Sequence, residues 1–245
     1  MSTYVYGIVL ATDAPEAVEL TGVGDPPASV RLVTHSGLAA IVSTTPDGLR
    51  AKRRDLAAHQ EVLSRLARRG PVLPMRFGAL APDDASVEAE LERAPRHYTG
   101  LLEELRDRVE VNVKATHVEE TALRTVLMED ADLRATNEEL RAANGGTPDE
   151  QMAFGERVSA ALEELRKRDS DKVVAPLATH ADKIAFGPPV DNCLANVSLL
   201  VHQDKLDDVG REASDLRESF DGLMEIRVNG PLPPYSFVTE PSPTD

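Results

Sequence analysis

The chain of 245 residues contains no tryptophan and a single cysteine, and aromatic residues make up only 4% of it. The lone cysteine, Cys193, excludes an internal disulfide and a thiolate metal cluster. It alternates with apolar residues in a predicted strand, where a small buried side chain is its expected role. The scarcity of aromatic side chains argues against a roomy cofactor pocket.

The sequence also lacks long apolar runs and an excess of positive charge. No uninterrupted apolar stretch approaches the roughly 20 residues of a membrane-spanning helix, and no basic N-terminal region leads into an apolar run. The net charge of −15 at pH 7 disfavours binding to nucleic acids or anionic membrane surfaces, because both carry negative charge. We therefore expect a cytoplasmic protein that binds neither nucleic acid nor membrane.

Motifs for catalysis or metal binding are missing as well. The six histidines include no pair at the i, i+4 spacing of a helical zinc site. His59 falls on the apolar stripe of a predicted helix, which favours a hydrogen-bonded core histidine over a general base. Neighbouring glutamates such as Glu163 and Glu164 point about a hundred degrees apart on a helix, which is typical of solvated faces. We expect no catalytic residues, no metal and no cofactor, and hence no enzyme.

The N-terminal part of the chain is rich in predicted strands. Alternating apolar residues predict strands at Tyr4–Leu10, Val30–Val33, Leu38–Ser43 and Val72–Phe77, the last with Pro74 at a sheet edge or a bulge. The second and third strands form a predicted hairpin that turns around His35-Ser36-Gly37. A helix is predicted from Arg54 to Arg69, with Leu56, His59, Leu63 and Leu66 on its buried stripe. A second helical stripe from Val87 to Leu105 is interrupted at Pro95, which predicts two helices or one kinked helix.

The C-terminal part begins with a half-buried strand at Val109–Ala115. A long helical region follows, in which Thr147 and Glu150 form a predicted capping box and Met152, Val158, Leu162 and Leu165 mark the buried side. A strand at Cys193–Val201, a helix and a strand at Leu223–Val228 complete this part. The succession predicts a ferredoxin-like α+β sheet.

The last predicted strand runs into a proline-rich segment. Three prolines within Pro231–Pro234 predict that the chain leaves the sheet after Asn229 in an extended path. Tyr235 and Phe237 then lie on the same side of an extended chain, and both need burial against some surface.

Several segments resemble one known family. The sequence Gly230-Pro231-Leu232-Pro233-Pro234-Tyr235-Ser236-Phe237 is similar to the Gly-Pro-Trp-Pro-Pro-Tyr-Ser-Phe signature of the gas vesicle protein F/L family, with Leu232 in place of the tryptophan. The opening strand Tyr4–Val9 and the block from His59 to Gly78, which contains Gly-Pro-Val-Leu-Pro-Met-Arg-Phe-Gly, also resemble that family. Weaker similarities lie at Glu110–Lys114 and Lys183–Phe186.

The resemblance implies a fold of two α+β domains, the C-terminal one a modified ferredoxin-like sheet with a long helical insertion and an extended C-terminal arm. We expect the domains at residues 1–108 and 109–238, the insertion at 118–180 and a disordered tail at 239–245. The implied function is that of a non-enzymatic accessory protein of gas vesicle assembly. Its implied partners are the small hydrophobic shell subunit and other accessory gas vesicle proteins, and its implied location is the gas vesicle.

One cluster of positive charge stands out in the acidic chain. It comprises Arg50, Lys52, Arg53, Arg54, Arg65, Arg68 and Arg69. Such a run is either the solvated face of a helix or a docking surface for an acidic partner. We take Arg65, Arg68, Arg69, Tyr235 and Phe237 as the candidate partner-binding residues. A ferredoxin-like module that binds a small regulatory ligand between sheet and helix is the alternative function, by fold analogy alone.

Overall fold

The computed structural model describes residues 2–14, 20–190, 193–239 and 241. The chain divides into two compact units, residues 1–110 together with 231–245, and residues 111–230. The sequence predicts that residues 231–238 continue the C-terminal domain, but they belong to the first unit, because Tyr235 packs against the core of that unit. Of the predicted disordered tail, Glu240 and residues 242–245 lie outside the described residues.

The first unit is built on an antiparallel sheet of five strands. The strands are β1 (Thr3–Leu10), β2 (Val30–His35), β3 (Leu38–Thr44), β4 (Leu73–Pro74) and β5 (Leu80–Ala81). Their order is β2-β3-β1-β4, and β5 also pairs with β1. Ser36 and Gly37, with φ angles of 49° and 81°, form the turn between β2 and β3. Positive φ at both central residues is characteristic of a type I′ hairpin turn, so the predicted hairpin is confirmed.

Strand β4 is much shorter than the predicted strand Val72–Phe77. It pairs at the edge of the sheet with β1, the position that Pro74 requires because proline donates no hydrogen bond. The two strands approach closely at Gly7, where an added Cβ atom would lie 2.8 Å from the carbonyl oxygen of Leu73. Glycine at this position therefore permits the pairing of β1 with β4.

Three helices cover the sheet of the first unit: α1 (Arg53–Ala67), α2 (Asp84–Arg93) and α3 (Pro95–Glu104). Pro95 is the first residue of α3, where its missing N–H leaves no hydrogen bond unmade. Of the two predicted alternatives, the structure has two helices and not one kinked helix. The predicted buried stripe of α1 is wrong at one position. Leu56 is 43% exposed, whereas Asp55 is 2% exposed. The carboxylate of Asp55 accepts a hydrogen bond of 3.0 Å from the Gly24 N–H, which turns this residue inwards.

A polar link joins strand β2 to helix α2. The Arg31 guanidinium donates to both carboxylate oxygens of Asp84, at 2.7 and 2.6 Å, and the Thr3 hydroxyl donates to the same carboxylate. These hydrogen bonds lower the pKa of Asp84 from 3.8 to about 2. The stabilisation from this link is therefore complete above pH 3.8 and is lost as the pH falls towards 2.

Within its described residues, the second unit contains a four-stranded sheet and four α-helices. The strands are β6 (Arg108–His117), β7 (Lys183–Phe186), β8 (Cys193–His202) and β9 (Met224–Leu232), and the helices are α4 (Glu119–Glu129), α5 (Ala131–Ala142), α6 (Pro148–Ala178) and α7 (Leu206–Ser219). The sheet order β7-β8-β6-β9 is that of a β-α-β-β-α-β ferredoxin-like fold. The helical insertion α4 to α6 forms the first connection. The α+β class and the ferredoxin-like sheet are thus present as predicted.

Two features of this sheet differ from the sequence prediction. Strand β7 was not predicted, because it is four residues long and both Ile184 and Phe186 are exposed, which leaves no alternation of buried and exposed residues to detect. Strand β9 continues through Pro231 to Leu232, beyond the predicted exit after Asn229. Because β9 is the last strand of the sheet order, a proline there does not interrupt a central ladder.

Helix α6 contributes to two separate cores. The predicted capping box at its start is confirmed, with Thr147 accepting from the Glu150 N–H and Glu150 accepting from the Thr147 N–H. Its C-terminal half packs Val173 and Leu177 against the sheet. Its middle packs Leu165 against α4 and α5. Met152, predicted on the buried side, is 63% exposed, because Phe154 and not Met152 lies on the face of the helix that packs against the small core around Leu165.

A buried hydrogen-bonded pair ties this helix to the sheet. His117 ends β6, and its Nε2 atom lies 2.9 Å from Oδ2 of Asp169 on α6. The side chains are 6% and 1% exposed. The Lys172 ammonium donates to the other carboxylate oxygen at 2.9 Å. Asp169 therefore satisfies partners on two elements at once.

Candidate functional site

His59 lies at the centre of an aromatic cluster in the first unit. Its ring stacks on Tyr6, with 5.6 Å between centroids and an interplanar angle of 25°. It meets Tyr4 and Phe77 edge to face. The residue is 3% exposed. This geometry joins strand β1, helix α1 and the loop after β4 into one core.

Both ring nitrogens of His59 are engaged in hydrogen bonds. Nε2 lies 3.0 Å from the Met75 carbonyl oxygen, which can only accept, so Nε2 carries the proton. Nδ1 then accepts from the Tyr4 hydroxyl at 2.8 Å. Burial lowers the pKa of His59, which keeps the ring neutral. No lone pair is left to act as a general base, and the prediction of a hydrogen-bonded core histidine is confirmed.

The basic residues singled out in the sequence lie at the two ends of helix α1. Arg65, near its C-terminal end, is about 18 Å from Arg53 along the helix axis, at 1.5 Å per residue. Arg65, Arg68 and Arg69 are exposed. The Arg65 guanidinium donates to Glu61 at 2.7 Å, and Arg68 lies 3.9 Å from the same carboxylate. We name these three residues the arginine surface.

At the start of α1, Arg54 forms ion pairs that stabilise the fold. Arg54 pairs with Asp25 at 2.5 Å and with the buried Asp55 at 3.4 Å. It thereby helps to hold the segment around Gly24 against the helix. The seven basic residues therefore form two groups, one at each end of α1. In the N-terminal group, Arg54 stabilises the fold through its ion pairs with Asp25 and Asp55.

The C-terminal arm, residues 233–239, does not follow an extended path throughout. Tyr235 to Phe237 form one 3-10 turn, so the two aromatic side chains do not share one side as predicted. Tyr235 is half-buried against the first unit's core, and burial raises its pKa to about 12. Phe237 is half-buried as well. The turn forms because Glu110 accepts hydrogen bonds of 2.8 Å from both the N–H and the hydroxyl of Ser236.

Glu110 is a residue that the sequence interpretation missed. Its place in the alternation of β6 predicts exposure, yet it is 4% exposed. No pattern within β6 marks it. Its hydrogen-bond partner, Ser236, lies far along the chain between Tyr235 and Phe237. Nothing nearer in the sequence indicates that Glu110 is buried.

The arm forms part of the wall of a cleft of about 760 Å³ in the first unit. Tyr235, Val238 and Thr239 line one side, and most of the other lining residues come from β1, β5, α2 and the segment from β4 to Ala79. Leu80 on the rim is 56% exposed. The His97 ring lies 2.9 Å from the Thr239 carbonyl oxygen and helps to hold the end of the arm. A peptide segment that entered this cleft would contact the arm directly.

Arm variants are expected to separate anchoring from binding. Tyr235→Ala should lower the free energy of unfolding by about 2 kcal/mol, roughly half the cost of truncating a fully buried aromatic residue. Phe237→Ala should cost about 1 kcal/mol, since less of the first unit's core depends on it. Thermal unfolding of both variants provides the measurement. Equal losses would contradict the assignment of Tyr235 as the anchor.

The centre of the second unit leaves little room for a ligand between sheet and helices. That space is filled by apolar side chains, among them Val113, Leu199 and Val201, none of which has measurable exposure. A cleft of about 600 Å³ lies beside α6, with Arg166, Lys167 and Asp171 in its lining. Among the described residues, no group of three or more histidine, cysteine, aspartate or glutamate side chains is placed to hold a metal ion. None of the described helices is both long and apolar enough to cross a membrane.

Solved structures share this fold. The crystal structure of the gas vesicle protein GvpF from Anabaena sp. PCC7120 superposes with a TM-score of 0.80 at 22% sequence identity, over 98% of this chain and 99% of that one. The crystal structure of GvpF from Microcystis aeruginosa superposes with a TM-score of 0.77 at 23% identity, over 96% and 98% of the two chains. At these identities the likeness establishes the fold.

Sequence comparison establishes the family. Gas vesicle protein F of Streptomyces sp. (strain CB03234) is 44% identical over 238 residues, which is 97% of this chain and all of that protein. Gas vesicle protein L1 of Halobacterium salinarum is 26% identical over 270 residues, covering 97% of this chain and 90% of that protein. The model of the gas vesicle synthesis protein GvpL/GvpF family matches residues 2–239. The chain therefore belongs to the GvpL/GvpF family of accessory gas vesicle proteins.

Proposed function

We propose that this chain is a non-enzymatic accessory protein of gas vesicle assembly that binds the small hydrophobic shell subunit and helps to nucleate or build the shell. The observation that carries the proposal is the family match, which runs from residue 2 to residue 239. The relatives that are 44% and 26% identical to this chain are both gas vesicle proteins. His59, the one histidine weighed as a general base, has both ring nitrogens hydrogen-bonded in the core.

We assign the partner-binding role to the first unit. The cleft offers apolar contacts at its rim through Leu80 and along the arm through Tyr235 and Val238. Tyr235 acts by holding the arm in place, and Phe237, which is not part of the cleft lining, supplies an aromatic contact beside the cleft. Aromatic residues, phenylalanine among them, are enriched at protein interfaces. Leu232, where the family signature has tryptophan, leaves Phe237 as the main aromatic contact of the arm.

The arginine surface serves the first encounter. Arg65, Arg68 and Arg69 present positive charge in a chain of net charge −15, so they attract acidic groups of a partner that the rest of the surface repels. Guanidinium groups also suit interfaces, because their planar fork binds carboxylates at two points. The mechanism is steering by the arginine surface followed by apolar capture at the cleft.

Affinity capture from cells that co-express the shell subunit tests the proposal. The tagged chain is expected to retain the shell subunit well above the level retained by an unrelated acidic protein of similar net charge. That control matters because a hydrophobic subunit adheres to many surfaces. Equal recovery by the two baits would overturn the proposed function.

Charge reversal tests the arginine surface by itself. Arg65→Glu, Arg68→Glu and Arg69→Glu together should slow association about tenfold or more at low salt and change the dissociation rate little, because exposed charges act mainly on encounter. Binding kinetics at rising salt provide the measurement. The matched control reverses Arg134, Arg141 and Arg157 in the helical insertion and should leave the rate unchanged. An unaltered rate in the first variant would make these residues a solvated helix face.

A further inference from the structure

Strand β7 ends the sheet of the second unit and exposes apolar side chains. It lies at one end of the order β7-β8-β6-β9. Phe186 is 78% exposed, the highest value among the large apolar side chains of the described residues, and Ile184 is 36% exposed. Natural proteins usually protect such an edge, because its backbone groups are a template for another strand. We therefore expect another strand to pair with the outer edge of β7.

The backbone groups that point outwards belong to the same two residues. Gly187 donates to the carbonyl of Asn196 at 2.8 Å, which makes this a hydrogen-bonded pair in the register of β7 with β8. Such pairs alternate along an antiparallel ladder. Lys183 and Ala185 therefore direct their backbone groups towards β8, and Ile184 and Phe186 direct theirs away from it. Within the described parts of the chain, no strand pairs with that outer edge.

We propose that a second copy of this chain occupies the edge, with the two β7 strands paired antiparallel about a two-fold axis at Ala185. In this register Ile184 lies opposite Phe186 of the partner subunit, and the reciprocal pair follows from the symmetry. Both pairs are hydrogen-bonded pairs, so every outward N–H and carbonyl of the two residues is satisfied. The exposed side chains of the same residues pack across the junction.

If the two-fold axis is moved by one residue in either direction, one of the hydrogen bonds between the two β7 strands cannot form. An axis at Phe186 places Ile184 opposite Pro188 of the partner subunit, which has no N–H to donate. An axis at Ile184 places Phe186 opposite Asp182 of the partner subunit, and the N–H of Asp182 already donates to Leu200 at 2.8 Å. The register centred on Ala185 avoids both conflicts. The strand is thus complementary to itself in one register.

The faces of the sheet agree with this pairing. Ile184 lies opposite Leu199 and Phe186 opposite Val197 on β8, and both β8 residues belong to the buried core. The added strand would continue that apolar face by one more row. On the other face, Lys183 would lie opposite Gly187 of the partner subunit, which avoids a contact between like charges. Because each copy carries a net charge of −15, higher salt should strengthen the association.

Disulfide trapping tests the register. Ala185 would lie opposite itself in a non-hydrogen-bonded pair, where the Cα atoms are about 4.5 Å apart, within the range of a disulfide. In a Cys193→Ser background, which removes the natural cysteine, Ala185→Cys is expected to form a covalent dimer on mild oxidation. Ile184→Cys and Met152→Cys are the matched controls and should stay largely monomeric, since neither would meet its own copy.

Sedimentation of the full chain tests the surface without cysteines. The parent should show a concentration-dependent dimer that Phe186→Lys shifts at least tenfold towards monomer, while Met152→Lys, at another exposed site, leaves it unchanged. The proposal is overturned if Ala185→Cys cross-links no better than Ile184→Cys, or if the parent stays monomeric at all soluble concentrations. It is equally overturned if the parent is monomeric and captures the shell subunit but the Phe186→Lys variant does not. The edge of β7 would then be a binding surface for the shell subunit. Since dimerisation does not require the shell subunit, its failure leaves the proposed function standing.

Discussion

Replacing His59 by alanine is expected to lower the free energy of unfolding of the first unit by about 3 to 5 kcal/mol. The substitution empties a ring-sized space between Tyr4, Tyr6 and Phe77, and truncation of a buried ring costs this amount. It also leaves the Met75 carbonyl without its donor. Denaturant unfolding provides the measurement.

His59→Phe and His97→Ala are the controls. Phenylalanine restores the ring volume but not the hydrogen bonds, so its loss should fall between those of the alanine variant and the parent. His97 is more exposed, and its replacement should cost little. A loss below about 1 kcal/mol for His59→Ala would contradict the central place of this residue in the core.

His59 also makes the stability depend on pH. Because burial lowers its pKa in the folded protein, the unfolded chain takes up a proton at a higher pH than the folded one. Stability from the neutral ring is present above pH 6.5 and falls as the pH drops towards the folded pKa. The His59→Phe variant should lack this part of the acid sensitivity. Identical pH profiles of the two proteins would show that His59 is not held neutral.

Replacing Asp169 by asparagine is expected to lower the stability of the second unit by about 3 kcal/mol. Asparagine keeps one acceptor oxygen where aspartate has two, so the buried side chain no longer satisfies both His117 and Lys172. Asp171→Asn is the matched control, an exposed carboxylate on the same helix, and should stay within about 0.5 kcal/mol of the parent. Similar losses in the two variants would contradict the assigned role of the pair.

The pH dependence of this pair has a defined direction. Burial alone would raise the pKa of Asp169, but hydrogen bonds from Lys172 and His117 outweigh it and lower the pKa. The stabilisation is therefore present above pH 3.8 and is lost as the pH falls through the folded pKa. The stability of the Asp169→Asn variant should therefore fall less steeply with pH in this range than the stability of the parent, which acid unfolding measures.

The fold was predictable wherever a local rule decided the structure. The capping box at Thr147, the break at Pro95 and the hairpin before Leu38 depend on residues adjacent in sequence, and the structure confirms all three. The prediction failed where a distant partner decides. Asp55 displaces Leu56 from the buried side of α1 because Gly24 donates to it from a distant loop.

The candidate site was predictable only in part, for the same reason. Arg65, Arg68 and Arg69 are recognisable as charges in an acidic chain, and the structure places them on one end of α1. The side-by-side placement of Tyr235 and Phe237 was wrong, because Glu110 converts the extended arm into a turn. A carboxylate that lies 126 residues from its serine partner leaves no periodic trace in the sequence.

The binding of the purified chain to the immobilised shell subunit tests the central claim most directly. The account predicts saturable binding whose association rate falls as salt rises, and a slower association for the variant with Arg65, Arg68 and Arg69 reversed to glutamate. It also predicts weaker binding for Phe237→Ala under conditions in which that variant, despite its loss of about 1 kcal/mol, remains folded. Absence of saturable binding by the folded parent chain would contradict the account.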